Sequence, residues 1–324
     1  MSSEYSGSLA QKILFDPITL GADKLCILSK EASPSMISWL LTTYDEKKIK
    51  GITVELIVTS LSDKGGVTKM THEAFKEIHR LSHAANASNA FSCSYYYGTS
   101  IFTDNVLVWL FNEKPLKAYS FSCNFTQSDL LRHDGGLLSD YNENSAFIFF
   151  EQAIDKSIYC VKSEIEDFVV IGPAYVPTTE ALNLKNPNFI TLSLVTKRTS
   201  EPGTKSGLNW GQRSKRNRNE AYIPIPRKIA KSGFFPLNEQ HFLVVTDDHH
   251  TLQLRVEQQN DKAITTPTSN AQLGEYFRNR LGLRNGTYVR VEDLDAYGRR
   301  DVSFLKIDDE QFYMDFSVDN KGDK

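Results

Sequence analysis

One segment combines the residue types that bind nucleic acid. Residues 206–219 read SGLNWGQRSKRNRN, and the stretch from Lys197 to Arg218 carries seven Lys and Arg residues against one acid, Glu201. Such cations neutralise phosphates, while Arg can pair with two guanine atoms and Asn or Gln with two adenine atoms. The mixture favours a DNA-binding loop in which Trp210 stacks or packs. A charge run by itself is also typical of a solvated loop.

The bulk composition bounds the remaining possibilities. The chain has 324 residues and a net charge of −3, so we expect two domains, and any basic surface must be local. The four cysteines form no CxxC pair, so we expect no zinc site and buried, reduced thiols that suit a cytoplasm. No apolar run approaches the length of a membrane span, and the N-terminus has no signal-peptide pattern. We therefore predict a cytoplasmic protein with no membrane partner.

Strands and helices must position these residues. In the first half, an apolar strand at 24–28, a helix from Ser33 to Thr43, a strand at 53–60 and a helix at 71–82 alternate. Four apolar runs follow, which we predict as strands at 91–97, 106–111, 118–125 and 146–150. This order predicts an α/β domain with a largely buried mixed sheet.

The second half is richer in strands. A strand-like segment at 190–195 precedes the basic stretch, and five further strands are predicted after it, at 241–246, 251–256, 288–291, 302–307 and 311–317. Helices are predicted at 272–281 and 292–297. Short strands with two short helices favour a small barrel over a sandwich.

Several sequence blocks in the second half carry a family resemblance. They are SGLNWGQR (206–213), NEAYIPIP (219–226), FFP (234–236), TDD (246–248), LGEYFRNRLGL (273–283) and KIDDEQFYMDFS (306–317). In this order they resemble the C-terminal half of NgoFVII-type restriction endonucleases, which is similar to the plant B3-like DNA-binding pseudobarrel. The resemblance runs through nearly all of residues 205–318. It implies a mainly-β domain that inserts two arms into the major groove and reads a short GC-rich site.

The resemblance assigns roles to the basic segment, which becomes the first arm. Base contacts fall to Asn209, Gln212 and Arg213, and phosphate contacts to Lys215, Arg216 and Arg218. Trp210 and Asn219 complete the predicted interface. Further cations are weaker candidates for backbone contacts or are solvated: Arg278, Arg280, Arg284, Arg299 and Arg300.

The first half resembles the phospholipase D-like nuclease domain of the same family. The similar stretches are residues 16–41, 54–58, 72–79 and 91–97. The resemblance implies a His-x-Lys motif at a strand start, in which His attacks phosphorus and Lys stabilises the phosphoryl charge. A Gly-Ser-x-Asn segment follows in the family. Two subunits together build one active site, and neither a metal nor a cofactor is needed.

This sequence departs from that pattern at the reacting groups. Thr103 stands in the position of the nucleophilic His and Asn105 in that of the Lys, with Asp104 between them, whereas Ser122 and Asn124 of the second segment are retained. A threonine without a base is a poor nucleophile, and asparagine carries no charge. Asp140 aligns loosely with a further acidic residue. Replacement groups to consider are His72, His79, His83, and His133 with Asp134.

The predicted organisation has four parts. Residues 1–185 form a degenerate phospholipase D-like domain, 186–204 a linker, 205–318 a B3-like domain, and 319–324 a polar tail. Three functions stay open. The first is a restriction-system protein that binds double-stranded DNA and uses its nuclease half for pairing, as a homodimer or with a competent related subunit. The second is an active type II endonuclease with non-standard residues, and the third a non-cutting regulator or methylation sensor.

Overall fold

A computed structural model describes residues 9–61, 65–99, 104–132, 138–257, 261–267 and 269–318. The chain divides into two compact units, residues 1–174 and 175–324. The boundary precedes the linker predicted at 186–204. Within the described residues, no helix is long and apolar enough to cross a membrane.

Unit 1 is built on a seven-stranded mixed sheet with the order β6-β5-β4-β1-β2-β3-β7. Strands β1, β2 and β3 are parallel, and the remaining pairs are antiparallel. The strands are β1 Lys24–Ser29, β2 Thr53–Val58, β3 Ala90–Tyr96, β4 Asn105–Phe111, β5 Lys114–Phe121, β6 Leu138–Tyr141 and β7 Ser157–Tyr159. The predicted mixed sheet is confirmed.

Apolar side chains bury both faces of this sheet. The helices are α1 Leu9–Leu14, α2 Pro34–Glu46, α3 Lys69–Ser82 and α4 Glu143–Ile154, with 3-10 helices at Asp16–Leu20 and Ile165–Asp167 and a π-helical turn at Ser128–Arg132. The larger core lies on the face that carries Leu25, Ile27 and Trp109, and α4 packs on the other face. The α2 and α3 helices begin at Ser33 and Thr68, whose side chains accept hydrogen bonds from the backbone.

One predicted strand of unit 1 is wrong. Residues 146–150, read as a strand, lie in the middle of α4. Asn142 caps this helix by accepting a 2.9 Å hydrogen bond from the Ser145 amide. A short apolar run fits a buried strand and a buried helix equally well, so the polar cap before it determines the outcome.

Unit 2 is a second seven-stranded sheet, with the order β8-β13-β14-β10-β11-β12-β9. Its two edge strands, β8 and β9, approach each other, which nearly closes the sheet into a barrel. The strands are β8 Phe189–Ser193, β9 Ile223–Pro224, β10 His241–Thr246, β11 Thr251–Glu257, β12 Ala263–Thr265, β13 Asp301–Lys306 and β14 Gln311–Asp315. The predicted pseudobarrel is confirmed, and β8 places residues 189–193 in this sheet rather than in a linker.

Helices of unit 2 close the barrel core. They are α5 Arg227–Ala230, α6 Ala271–Arg280 and α7 Val291–Tyr297, and a 3-10 helix spans Gly207–Gln212. The core is aromatic: the Phe235 ring contacts those of Phe242, Phe304 and Phe312. The strand predicted at 288–291 is absent, because the chain there turns directly into α7.

Candidate functional site

The basic segment of unit 2 forms a closed loop that we call the arm, residues 205–219. It begins with the 3-10 helix, and the Gly211 amide then donates a 2.7 Å hydrogen bond to the Glu220 carbonyl. The Tyr222 amide donates to the Gly207 carbonyl at 3.2 Å. A Cβ on Gly211 would lie 2.2 Å from the Asn217 carbonyl oxygen, so only glycine fits this return of the chain.

Asn209 is fully buried beneath the arm and does not reach solvent. Its Nδ2 donates to the Val289 carbonyl at 2.8 Å, and its Oδ1 accepts from the Val289 amide at 2.8 Å. The side-chain amide thus pairs with the backbone as a neighbouring strand would. Both polar atoms of Asn209 are engaged in the fold, so the predicted base contact would require these two hydrogen bonds to break.

Asn219 and Gln212 also hold the arm in place. Asn219 is buried, donates to the Glu275 carboxylate at 2.9 Å, and accepts from the Gly286 amide at 2.5 Å. Gln212 donates to the Gly286 carbonyl at 3.2 Å and accepts from Arg218 at 2.8 Å. Both amides connect the arm to the segment around Gly286.

Arg278, predicted to lie on a helix surface or near DNA, is fully buried. Its guanidinium donates to the carbonyls of Leu208, Asn219, Gly274 and Thr287 at distances from 2.8 to 3.3 Å. It therefore fastens both ends of the arm to α6. Gly274, four residues earlier on α6, leaves the room, because a Cβ there would lie 1.7 Å from the Asn219 carbonyl oxygen.

The exposed face of the arm carries the predicted DNA contacts. The Arg213 guanidinium lies 3.6 Å from the centre of the Trp210 ring, and that of Arg216 lies 4.5 Å from it. Arg213 Nε donates to the Lys205 carbonyl at 2.8 Å. In the described part of the chain, its two terminal nitrogens have no partner. A guanidinium held on an aromatic ring with its fork open has the geometry for a bidentate contact with a base or phosphate.

The other arm cations differ in their engagement. Arg216 forms an ion pair with Glu220, and Arg218 is tied to Gln212. Lys215 is exposed at the loop tip, where its backbone adopts a positive φ of 65°. Lys215 therefore has the freest charge of the three and suits a phosphate contact.

Most of the weaker arginine candidates are engaged in ion pairs. Arg280 binds the Asp247 carboxylate with two hydrogen bonds of 3.0 and 2.6 Å. Arg299 pairs with Asp301 and Asp315, and Arg300 with Asp295. Arg284 is exposed and lies two residues before Gly286, beside the arm. Of this group, Arg284 is the residue placed to extend the arm surface.

Asn105 of unit 1 is buried at the start of β4 and connects three segments. Its Oδ1 accepts from the Lys30 amide at 2.7 Å and from the Ser29 hydroxyl at 3.2 Å, and its Nδ2 donates to the Cys123 carbonyl at 2.5 Å. These bonds join the end of β1 to residues 122–125. The amide is fully engaged, uncharged and out of solvent, so it cannot take over the role of a lysine beside a phosphate.

The residues predicted around Asn105 are only partly brought together. Ser122 is exposed and Asn124 half-buried, and they flank Cys123, whose carbonyl Asn105 binds. Asp140 lies two strands away on β6, about 12 Å from Asn105 by strand spacing, and pairs with Lys117 at 3.2 Å. Asp104 is exposed. Thr103, His133 and Asp134 lie outside the described residues.

The α3 histidines are structural. His72 is buried, and its Nδ1 lies 3.3 Å from the Tyr95 hydroxyl. Burial, and then Lys76, lower the pKa of His72. His79 bonds the Phe91 carbonyl at 2.9 Å, and its ring centre lies 4.1 Å from that of His83 at the far end of α3, more than about 15 Å from Asn105 by strand spacing.

A metal site is not evident where the structure describes the chain. No group of three or more His, Cys, Asp and Glu side chains there could hold a metal ion. The four cysteines are free thiols: Cys26, Cys93 and Cys160 are buried, and Cys123 is half-buried.

Comparison with known proteins identifies both units. Residues 7–167 match the family model of the NgoFVII restriction endonuclease N-terminal PLD domain. Residues 182–308 match that of the NgoFVII C-terminal B3-like DNA-binding domain. A search of curated proteins finds no match. The two matches cover most of the chain in the expected order, and the chain belongs to the NgoFVII-type restriction endonuclease family.

Proposed function

We propose that this chain recognises a short GC-rich site in double-stranded DNA through its arm, and that its nuclease half does not cleave DNA unaided. The observation that carries the proposal is the contrast between two side chains. Arg213 presents an open guanidinium fork on Trp210, whereas the Asn105 amide is fully hydrogen-bonded to the backbone and side chains around it. The Arg213 guanidinium is therefore available to contact a base, and the positive charge needed for phosphodiester cleavage is missing.

Guanine is the base that fits the Arg213 fork. Its O6 and N7 atoms accept two parallel hydrogen bonds from one guanidinium in the major groove. Trp210 and the Lys205 carbonyl restrict the Arg213 side chain, which lowers the entropy lost on binding. A restrained arginine of this kind supports recognition of a GC-rich site.

The nuclease half lacks the groups of its family's reaction. Phosphohistidine formation needs an imidazole nucleophile and a neighbouring cation, and the sequence has Thr103 and Asn105 at these positions. We expect the pair Thr103→His with Asn105→Lys to stay inactive, because a lysine cannot accept the hydrogen bond from the Lys30 amide. Restored cleavage would mean that only the chemistry was lost.

Pairing with a second chain gives the nuclease half a role. In this family one active site is built from two subunits, so a related subunit with an intact His-x-Lys could supply the missing groups. The alternative is a homodimer in which unit 1 serves only to join two DNA-binding units. Co-expression with an intact relative, followed by cleavage assays and mass measurement of the complex, separates these cases.

Selection from a randomised duplex library tests the recognition claim. We expect enrichment of a short GC-rich site by the unaltered protein, and relaxed preference at one position with Arg213→Ala. Arg300→Ala is the matched control, since Arg300 is ion-paired with Asp295. An equal loss on all sequences would assign Arg213 to a phosphate. Discrimination by cytosine methylation would favour a methylation sensor, and cleavage by the protein alone would favour the active endonuclease.

A further inference from the structure

A second group of exposed cations follows β9, the short strand that pairs with β12, whereas the arm precedes β9. We call it the α5 basic cluster: Arg227, Lys228, Lys231 and Lys262. The first three lie on or directly after α5, and the Ile225 amide donates a 2.8 Å hydrogen bond to the Lys262 carbonyl. The backbone thus fixes Lys262 beside the start of α5. Four positive charges are presented there by two neighbouring segments.

The α5 basic cluster differs from three arginines of unit 2 that are paired with acids. Arg280, Arg299 and Arg300 are each ion-paired with aspartates. No ion pair joins a cluster cation to an acid within the described ranges, although Asp261 is the sequence neighbour of Lys262. The unit therefore neutralises most of its structural arginines but leaves the arm tip and this cluster charged.

The chain that joins the end of the arm to the start of the cluster spans about the width of a DNA groove. The Ala221 amide bonds the Asn270 carbonyl at the arm end, and the Ile225 amide bonds Lys262 at the cluster end. Four residues of extended chain separate these points, which corresponds to about 13 Å. The major groove of B-DNA is about 12 Å wide. A duplex with the arm in its major groove would bring a phosphate strand to the cluster.

We propose that the α5 basic cluster binds the phosphate backbone at the rim of the major groove that the arm enters. This proposal rests on the proposed DNA-binding function of the arm and extends it to a second surface. Lysines and arginines on a short helix without base-reading neighbours supply charge but no sequence information. The cluster would therefore increase affinity for all duplexes equally and orient the arm on its site.

Charge removal in two matched triple variants tests the proposal. The first is Arg227→Gln, Lys228→Gln and Lys231→Gln. The control is Lys47→Gln, Lys48→Gln and Lys50→Gln, which removes the same charge from exposed residues of unit 1. Binding of the full chain to its selected duplex and to a scrambled duplex is measured over a series of salt concentrations. Thermal unfolding of each variant checks that it is folded.

We expect the cluster variant to bind both duplexes about tenfold more weakly, with a salt slope less steep by about 2 to 3, because each lost phosphate contact removes about 0.9. The control should keep the slope of the unaltered protein. An unchanged slope in the cluster variant would overturn the proposal, and so would a loss confined to the selected site. Failure of the unaltered protein to bind any duplex would instead overturn the proposed function itself.

Discussion

The two units of this chain differ in charge and in what their polar side chains do. Unit 1 carries 15 Lys and Arg against 21 Asp and Glu, a net charge of −6, whereas unit 2 carries 22 against 19, a net charge of +3. The total of −3 conceals this division. Attraction for a polyanion therefore belongs to unit 2, and the charge of the whole chain is a poor guide to its partner.

The two units also differ in what a buried asparagine supports. Each contains a buried asparagine whose amide ties separate segments, Asn105 in unit 1 and Asn209 in unit 2. Asn209 lies below an arm that keeps Arg213 and Lys215 exposed, so the scaffold supports a reading surface. Asn105 stands where the family resemblance places the catalytic lysine, and we propose that its structural hydrogen bonds replace the chemistry there. Variants of both units can test this difference.

The buried guanidinium of Arg278 should be the most sensitive point. Arg278→Met leaves four carbonyls without their donor, so we expect the free energy of unfolding of unit 2 to fall by about 3–5 kcal/mol and DNA binding to fall with it. Urea unfolding of the full chain measures this. The control is Arg300→Met, at an exposed position paired with Asp295. A loss below about 1 kcal/mol would contradict the structural role.

Removing the Asn105 amide should destabilise unit 1 and leave DNA binding by unit 2 unchanged. Asn105→Leu leaves the Lys30 amide and the Cys123 carbonyl without partners, so we expect unit 1 to lose about 2–4 kcal/mol of stability. Affinity for DNA should stay unchanged. The exposed Asn144→Leu serves as the matched control for urea unfolding. If stability were unaffected, Asn105 would not be the structural residue described above.

Loss of the Trp210 ring should weaken DNA recognition without unfolding the protein. Trp210→Ala removes the surface on which Arg213 and Arg216 lie, and we expect binding of the selected site to weaken by about 1 kcal/mol, roughly fivefold. Trp210→Phe keeps an aromatic face and should recover most of the affinity. Equal affinities for all three proteins in a titration would show that the stacking does not position Arg213.

A pH effect on stability is expected from His241 of β10. Burial, and then Arg255 opposite it on β11, hold the pKa of His241 well below its ordinary value. The unfolded chain takes up the proton below about pH 6.5 while the folded chain does not. The contribution of neutral His241 to stability is therefore fully present above that pH. It declines as the pH falls toward the folded-state pKa, by up to about 1.4 kcal/mol per pH unit.

His241→Gln removes the titrating group. Between pH 7.5 and pH 5, the unfolding free energy of this variant should therefore fall by about 1 kcal/mol or more less than that of the unaltered protein. His83→Gln, at an exposed position, is the control. A pH dependence in His241→Gln equal to that of the unaltered protein would assign the effect to other groups.

The sequence predicted elements where periodicity and caps agree, and failed where they are ambiguous. The helices α2, α3 and α6 lie where predicted to within a few residues, because Ser-Pro marks the start of α2 and apolar residues recur at helical spacing in α3 and α6. Residues 146–150 were misassigned because a uniformly apolar run has no period. The two-residue β9 was not predicted, since its pairing with β12 is set by the barrel rather than by local propensity.

Within the candidate site, the sequence identified the arm but not the supporting residues. Arg213 and Lys215 are where a basic loop would place them, at the exposed face. The burial of Asn209 and Arg278 depends on carbonyls from segments 59 to 80 residues away, which no local pattern reveals. One signal was present: Gly274 lies four residues before Arg278, and a small residue on the same helix face leaves room for a buried side chain.

We propose that the chain keeps DNA recognition and cannot cleave DNA unaided. Both parts are tested when the purified protein is incubated with duplexes carrying the selected site, in EDTA and in magnesium, and binding and strand integrity are measured in the same samples. We predict sequence-specific binding with intact strands in both conditions. Site-specific cleavage by the protein alone, in either condition, would contradict the claim.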